Sequence, residues 1–89
     1  MSIPSNIDSD TPTAGPQIVP QSREAEEAVV GSVLINPEAY YDVAEFLQGE
    51  DFYIHRHRWI WEAFERLQQS RTAIDSLTVI EELDQQGQL

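Results

Sequence analysis

The run HRHR at residues 55–58 carries the residue types best suited to chemistry in this chain. Its two histidines invite a metal site, or a small hydrolase in which His57 works with Asp51 or Glu62. Helix positions two residues apart point about 200° from each other, so the two histidines cannot share one ion without further ligands. The neighbouring carboxylates do not complete a tetrahedral set. We therefore predict that His57 is a partly buried structural residue that hydrogen-bonds a loop carbonyl, with an interface or ligand role as the alternatives.

Arg56 and Arg58 are two of only five cationic side chains, in a chain with sixteen acids, no lysine and a net charge of −11. Proteins that bind nucleic acid through phosphate need clustered positive charge, which this composition does not offer. Pairing with nearby carboxylates is the alternative, and exposed ion pairs contribute only about 0–1 kcal/mol. We place both arginines at a candidate partner interface and expect no direct DNA contact by this chain.

Trp59 and Trp61 lie on opposite sides of one predicted helix. Trp61 can flank the core, which leaves Trp59 partly exposed. Tryptophan is enriched among the residues that dominate binding energy at interfaces, so Trp59 is the candidate anchor of the partner interface. The alternative is that Trp59 covers the loop around Tyr53.

The sequence contains none of the motifs that carry catalysis. It has no glycine-rich phosphate loop, no nucleophile elbow and no cysteine, and 89 residues are too few for an ATPase or dinucleotide-binding domain. We predict no catalytic, cofactor-binding or metal-ligating residue and no enzymatic activity for this chain alone. The longest apolar stretch, residues 28–35, is far below the roughly 20 residues of a membrane span, so we expect a cytoplasmic protein without a membrane partner.

The first twenty residues differ in composition from the rest. Four of the five prolines and no aromatic residue lie there. Such a segment cannot bury enough apolar surface to offset the entropy of ordering, so we predict a disordered leader over residues 1–20. Ile18 and Val19 leave open the alternative that its end folds back onto the domain. The folded part is predicted to span residues 21–89.

Hydrophobic residues recur with helical spacing in four segments, and no segment alternates with period two. We predict an all-α fold, a small orthogonal bundle of about four helices over residues 23–35, 37–47, 55–69 and 76–86. Gly31 would let a partner helix approach closely, and the two aromatics of loop 50–54 should fold inward. The side chains expected to face the core are Ala25, Ala28, Val29, Ser32 and Val33; Tyr40, Val43, Ala44 and Leu47; Ile60, Ala63, Phe64 and Leu67; and Val79, Ile80 and Leu83.

The order of these features resembles a known family. The segment PQSREAEEAVVGSVL at residues 20–34 resembles the opening of the N-terminal domain of bacterial DnaB-type replicative helicases. The resemblance continues through DFY at 51–53, His57-Arg58-x-Ile60, the segment 74–83 and Gly87-Gln88-Leu89, and covers about 69 of the 89 residues. Val30 stands where the family usually has leucine.

The resemblance implies an all-helical head that forms a collar of paired domains above a hexameric motor ring. It implies other helicase subunits, the primase and a helicase loader as partners, with ATP, Mg²⁺ and DNA bound only by a separate motor domain. The family's helical hairpin has no counterpart before Leu89, which indicates an incomplete head. The helicase-interacting domain of a primase has a similar shape and is the alternative, although the order of motifs behind an N-terminal leader argues against it.

Overall fold

The computed structural model describes residues 22–89, and the predicted leader, residues 1–20, lies outside them. The described chain is all-α, as predicted, and contains no strand. The four helices pack around one core, with α3 in contact with α1, α4 and the short turn before it. The elements are α1 (Arg23–Ile35), α2 (Ala39–Ala44), a 3₁₀ turn (Gly49–Asp51), α3 (His55–Gln69) and α4 (Ser76–Gln85).

The helix ends follow the local chemistry of their caps. Ser22 accepts a hydrogen bond from the backbone N–H of Ala25 at 3.1 Å and begins α1. Asp75 and Thr78 form a reciprocal capping box at the start of α4. Gly87, with φ of +71°, ends α4, and the following N–H of Gln88 bonds the Leu83 carbonyl at 2.8 Å. These three boundaries agree with the sequence prediction to within one residue.

The second helix is shorter than predicted, Ala39–Ala44 rather than 37–47. At both ends the hydrogen bonds are of the 3₁₀ type, between residues three apart: the Tyr40 N–H donates to the Pro37 carbonyl, and the Phe46 N–H donates to the Val43 carbonyl. Gly49 follows this helix and opens the 3₁₀ turn, where a β-carbon would lie 3.1 Å from Cγ of Glu62.

Trp61 occupies the centre of the core and is fully buried, where the sequence placed it at the flank. Its ring centroid lies 5.1 Å from that of Tyr40, and 5.5 Å from those of both Phe52 and Phe64. Aromatic pairs at such separations add stabilisation beyond the area they bury. Ile60, predicted to be buried, is only half-buried because the buried face of α3 is turned toward Trp61.

The buried face of α1 is also turned relative to the prediction. Ala28 and Ser32 are exposed, whereas Glu26 and Val30 are buried beside Val33. Glu26 is not among the predicted core residues, and a glutamate is seldom fully buried unless it is paired. Within residues 22–89 a β-carbon on Gly31 would meet nothing within 4 Å, so no helix of the described part makes the close approach that Gly31 would allow.

Two further core predictions are wrong. Ile80 is 50% exposed, because Val79 and Leu83, one turn apart, point α4 toward α3 and leave Ile80 at the edge. In the loop before α3, Phe52 is buried as expected, but the Tyr53 side chain is 88% exposed. Successive residues in extended chain point to opposite sides, so only one of the two aromatics can enter the core.

Candidate interaction surface and the buried Glu26–His57 contact

Glu26 joins α1 to the start of α3 through three hydrogen bonds. Its Oε2 accepts from the backbone N–H of Tyr53 at 2.7 Å, and its Oε1 accepts from the N–H of Ile54 at 3.2 Å. Oε1 also lies 2.8 Å from Nδ1 of His57, which must carry the proton because an ionised carboxylate only accepts. Glu26 is 1% exposed and His57 9% exposed. The carboxylate therefore caps α3 from another helix.

The pKa of the Glu26 carboxyl group is lowered in the folded chain although the group is buried. Burial raises its pKa, and the hydrogen bonds from His57, Tyr53 and Ile54 together more than reverse that effect. The net result is a pKa below the ordinary value of 4.5. A buried carboxylate with three donors is a satisfied structural group.

The hydrolase alternative required His57 to meet Asp51 or Glu62, and the structure places neither carboxylate on the imidazole. The Asp51 carboxylate accepts from the backbone N–H of Gln48 at 2.8 Å and closes the 3₁₀ turn. The partner of His57 is Glu26, which also replaces the loop carbonyl that the sequence predicted. Within residues 22–89, no group of three or more His, Asp or Glu side chains could hold a metal ion.

The three predicted interface residues lie on the first half of α3. Arg56 is exposed. Arg58 is half-buried and donates from its guanidinium to the Phe52 carbonyl at 3.1 Å, so it holds the loop before α3. Trp59 is half-buried against the core, with its ring centroid 6.5 Å from that of His55. The Tyr53 side chain is 88% exposed, so the Trp59 ring does not cover that side chain.

The described surface carries exposed apolar side chains on every helix or beside it. These include Ile35 after α1, Tyr41 and Phe46 around α2, Tyr53 before α3, and Leu77 and Ile80 on α4. The remaining described ion pair joins Arg66 of α3 to Glu82 of α4 at 2.7 Å, so Glu82 is part of a contact between helices rather than of a purely solvated face. In residues 22–89, no helix is long and apolar enough to cross a membrane.

Residues 22–89 thus form a small all-α domain distinguished by exposed apolar and aromatic surface. Comparison with known proteins identifies its family. Residues 18–89 match the family described as "DnaB-like helicase N terminal domain". The chain belongs to this family, as the resemblance indicated. The match also decides against the primase domain that the sequence left as an alternative.

Individual relatives agree with the family match. The chain is 44% identical over 73 residues to the replicative DNA helicase DnaB of Rhodothermus marinus, covering 82% of this chain and 8% of that protein. It is 35% identical over 79 residues to the Haemophilus influenzae protein of the same name, covering 89% and 17%. The Geobacillus stearothermophilus protein is 41% identical over 73 residues, covering 82% and 16%. The chain thus spans less than a fifth of the length of these relatives.

Proposed function

We propose that this chain is the interaction head of a cytoplasmic replicative DNA helicase and contributes to ring assembly and primase binding during DNA replication. The observation that carries the proposal is the aromatic surface that the described fold leaves exposed, with Tyr53 88% accessible beside the start of α3. Small domains bury their large aromatics where they can, so an exposed one is a candidate contact residue.

ATP-driven unwinding of DNA is proposed for the whole helicase, with ATP and Mg²⁺ held by a separate motor domain. The 89-residue sequence does not fit these ligands. It has no lysine, which a phosphate-cradling loop requires, and its four glycines are scattered. Repulsion between phosphate and the −11 net charge also favours DNA contact through other parts of the helicase.

For the primase interface we propose Trp59, Arg56 and Arg58 as contact residues. Trp59 presents part of its ring at the surface while the rest packs on the core, which holds the ring in place at little entropic cost. Arg56 is exposed beside it and can pair with a carboxylate of the partner. Arg58 already binds the Phe52 carbonyl, so we assign it the role of holding the loop that flanks the contact.

For ring assembly we propose the exposed apolar residues on the other helices. Ile35, Leu77 and Ile80 lie outside the core and would be covered by neighbouring subunits or by the helical hairpin that the family resemblance implies. The chain by itself should therefore associate with further copies as its concentration rises. A helicase loader is a further proposed partner, for which we assign no surface.

Calorimetric titration of the chain with the C-terminal helical domain of its cognate primase tests the interface. Trp59→Ala should weaken binding about thirtyfold, because a tryptophan at the centre of an interface accounts for about 2 kcal/mol or more. Leu77→Ala is the matched control: it also removes a partly exposed apolar side chain, but on α4, and should leave primase affinity unchanged.

Stability must be measured on the same variants. Trp61→Ala removes the fully buried centre of the core and should cost about 3–5 kcal/mol of stability, which reports packing rather than binding. If Trp59→Ala lowers stability in the same way while primase affinity and self-association stay at wild-type values, Trp59 is a core residue and the proposed interface is refuted.

A further inference from the structure

An open groove lies between the start of α2 and the turn that joins α3 to α4. Its volume is about 660 Å³, within the range of about 300–1,000 Å³ that is usual for binding sites. The start of α2 forms one wall and the turn forms the other, with residues that include Pro37, Glu38, Tyr41, Arg71, Ala73 and Ile74. Arg71 follows the end of α3, whereas Arg56 and Arg58 lie at its start, roughly 20 Å away along the helix. The groove is therefore separate from the proposed primase interface.

Arg71 has a backbone conformation that favours glycine. Its φ is 59°, and within residues 22–89 no other residue except a glycine has a positive φ. Backbone hydrogen bonds form the turn: the Arg71 N–H donates to the Gln68 carbonyl at 3.1 Å, and the Thr72 N–H donates to the Leu67 carbonyl at 2.8 Å. Glycine would make the same bonds without the steric cost, so the turn does not require the arginine side chain.

The Arg71 side chain makes no polar contact that would offset this cost. It is exposed, and within the described part of the chain its guanidinium forms no hydrogen bond and no ion pair. Two other arginines do have such partners: Arg58 donates to the Phe52 carbonyl, and Arg66 pairs with Glu82. Residues in unfavourable backbone conformations cluster at sites where the side chain serves a function. The guanidinium of Arg71 therefore has its donors free for a ligand in the groove.

The other groups of the groove restrict which ligand fits. The Tyr41 ring is 57% exposed and Ile74 is buried, so an apolar side chain can pack against them. Glu38, on the wall opposite Arg71, is exposed and has no ion-pair partner among residues 22–89. The groove thus presents one free charge of each sign on its two walls, beside an apolar surface. Nucleic acid fits poorly, because its phosphates would be repelled by Glu38 and by the net charge of −11.

We propose that this groove binds a segment of a partner protein in which an apolar side chain lies between a carboxylate and a basic side chain. The carboxylate pairs with Arg71, whose planar guanidinium can form two parallel hydrogen bonds with such a group. The apolar side chain packs against Tyr41 and Ile74, and the basic side chain pairs with Glu38. Such a segment complements the charge of both walls, which a purely acidic or purely basic segment does not.

Selection of short peptides from a random displayed library on the full 89-residue chain tests this ligand chemistry. The selected peptides should share an apolar residue with an acidic and a basic residue on its two sides. In calorimetric titrations, a synthetic peptide of the selected sequence should bind Arg71→Gly about tenfold more weakly than wild type, because a charge-assisted hydrogen bond is lost. The same variant should unfold at a higher temperature than wild type, so weaker binding cannot result from misfolding. Arg23→Gln is the matched control: it removes an exposed arginine outside the groove and should leave the affinity unchanged.

Two double-mutant cycles connect the charges of the peptide to the two walls. Replacing the acidic residue of the peptide by its amide should weaken binding to wild type about tenfold and binding to Arg71→Gly much less. Replacing its basic residue by glutamine should likewise have a smaller effect on Glu38→Gln than on wild type. Selected peptides without a carboxylate, or peptides that bind Arg71→Gly as tightly as wild type, would overturn the proposal. So would duplex DNA that binds wild type and not Arg71→Gly, because the ligand would then be a nucleic acid.

Discussion

Replacing Glu26 by glutamine tests the contact on which the junction of α1 and α3 depends. The substitution preserves shape but leaves one oxygen and one NH₂ group where two oxygens accepted three hydrogen bonds. If the NH₂ group takes the place of Oε2, the Tyr53 N–H loses its acceptor. If it takes the place of Oε1, the Ile54 N–H and the Nδ1–H of His57 both lose theirs. An orphaned buried donor costs about 1–3 kcal/mol, and the remaining bonds lose their charge assistance. We expect Glu26→Gln to destabilise the domain by about 2–4 kcal/mol.

That loss is large against the total stability. A folded unit of this size has about 3–10 kcal/mol of unfolding free energy, so the substitution should remove a large share of it. Urea denaturation followed by far-ultraviolet circular dichroism at pH 7 measures the difference. Glu27→Gln, one residue along on the exposed side, is the matched control and should lie within about 0.5 kcal/mol of wild type. An equal effect of the two substitutions would refute the assigned role of Glu26.

The same contact predicts how stability depends on pH. The pKa of the Glu26 carboxyl group lies below its ordinary value of 4.5 in the folded chain, so on acidification the unfolded chain binds the proton first. Its contribution is therefore complete above about pH 4.5 and is lost as the pH falls through the folded pKa. The stability difference between wild type and Glu26→Gln should shrink over that interval, and a difference that grows on acidification would contradict the assignment.

Three backbone substitutions should change stability in directions that the structure sets, and thermal unfolding measures each, at about 4–8 °C per kcal/mol for a domain of this size. Gly31→Ala should stabilise by about 1 kcal/mol, because the new methyl group meets nothing within 4 Å in the described chain and glycine is a poor helix former; a loss of stability would mean that another helix does cover this site. Gly87→Ala should instead destabilise by about 1 kcal/mol, because its φ of +71° disfavours a β-carbon. Arg71, with φ of 59° after α3, is the converse case, and Arg71→Gly should stabilise by a similar or smaller amount; no change there would show that this turn relaxes without strain.

The fold followed from local signals that act over a few residues. Ser22 and Asp75 cap their helices, and Gly87 ends α4, because each needs only its own neighbours to do so. The second helix was harder to bound, since Pro37 can begin a helix or occupy a turn at similar cost, and the packing of Tyr40 and Leu47 decides between them.

The site depended on contacts that are distant in sequence, and there the prediction failed. Glu26 lies four and seven residues before Val30 and Val33, so it shares their helix face, and this spacing was the available signal. A carboxylate on such a face is buried only if hydrogen-bond donors lie opposite it. Those donors lie at or just before the start of α3, 27 to 31 residues further along the chain, and no periodicity in α1 reveals them.

Trp59 and Trp61 illustrate the same limit within one helix. Two positions two residues apart must face different ways, which correctly separated a buried tryptophan from a partly exposed one. Which of the two becomes the centre of the core depends on Tyr40, Phe52 and Phe64, which come from three separate elements. The assignment of Trp59 to a partner interface remains a prediction.

Sedimentation velocity of the chain mixed with the C-terminal helical domain of its cognate primase tests the central proposal most directly. If the chain is an interaction head, a boundary faster than that of either protein alone should appear and grow with concentration, and the primase domain should sediment with it. In the control without the primase domain, the chain should show only self-association. Two independent boundaries at every ratio, up to concentrations that would detect a dissociation constant of about 1 mM, would contradict a primase-binding role for this domain.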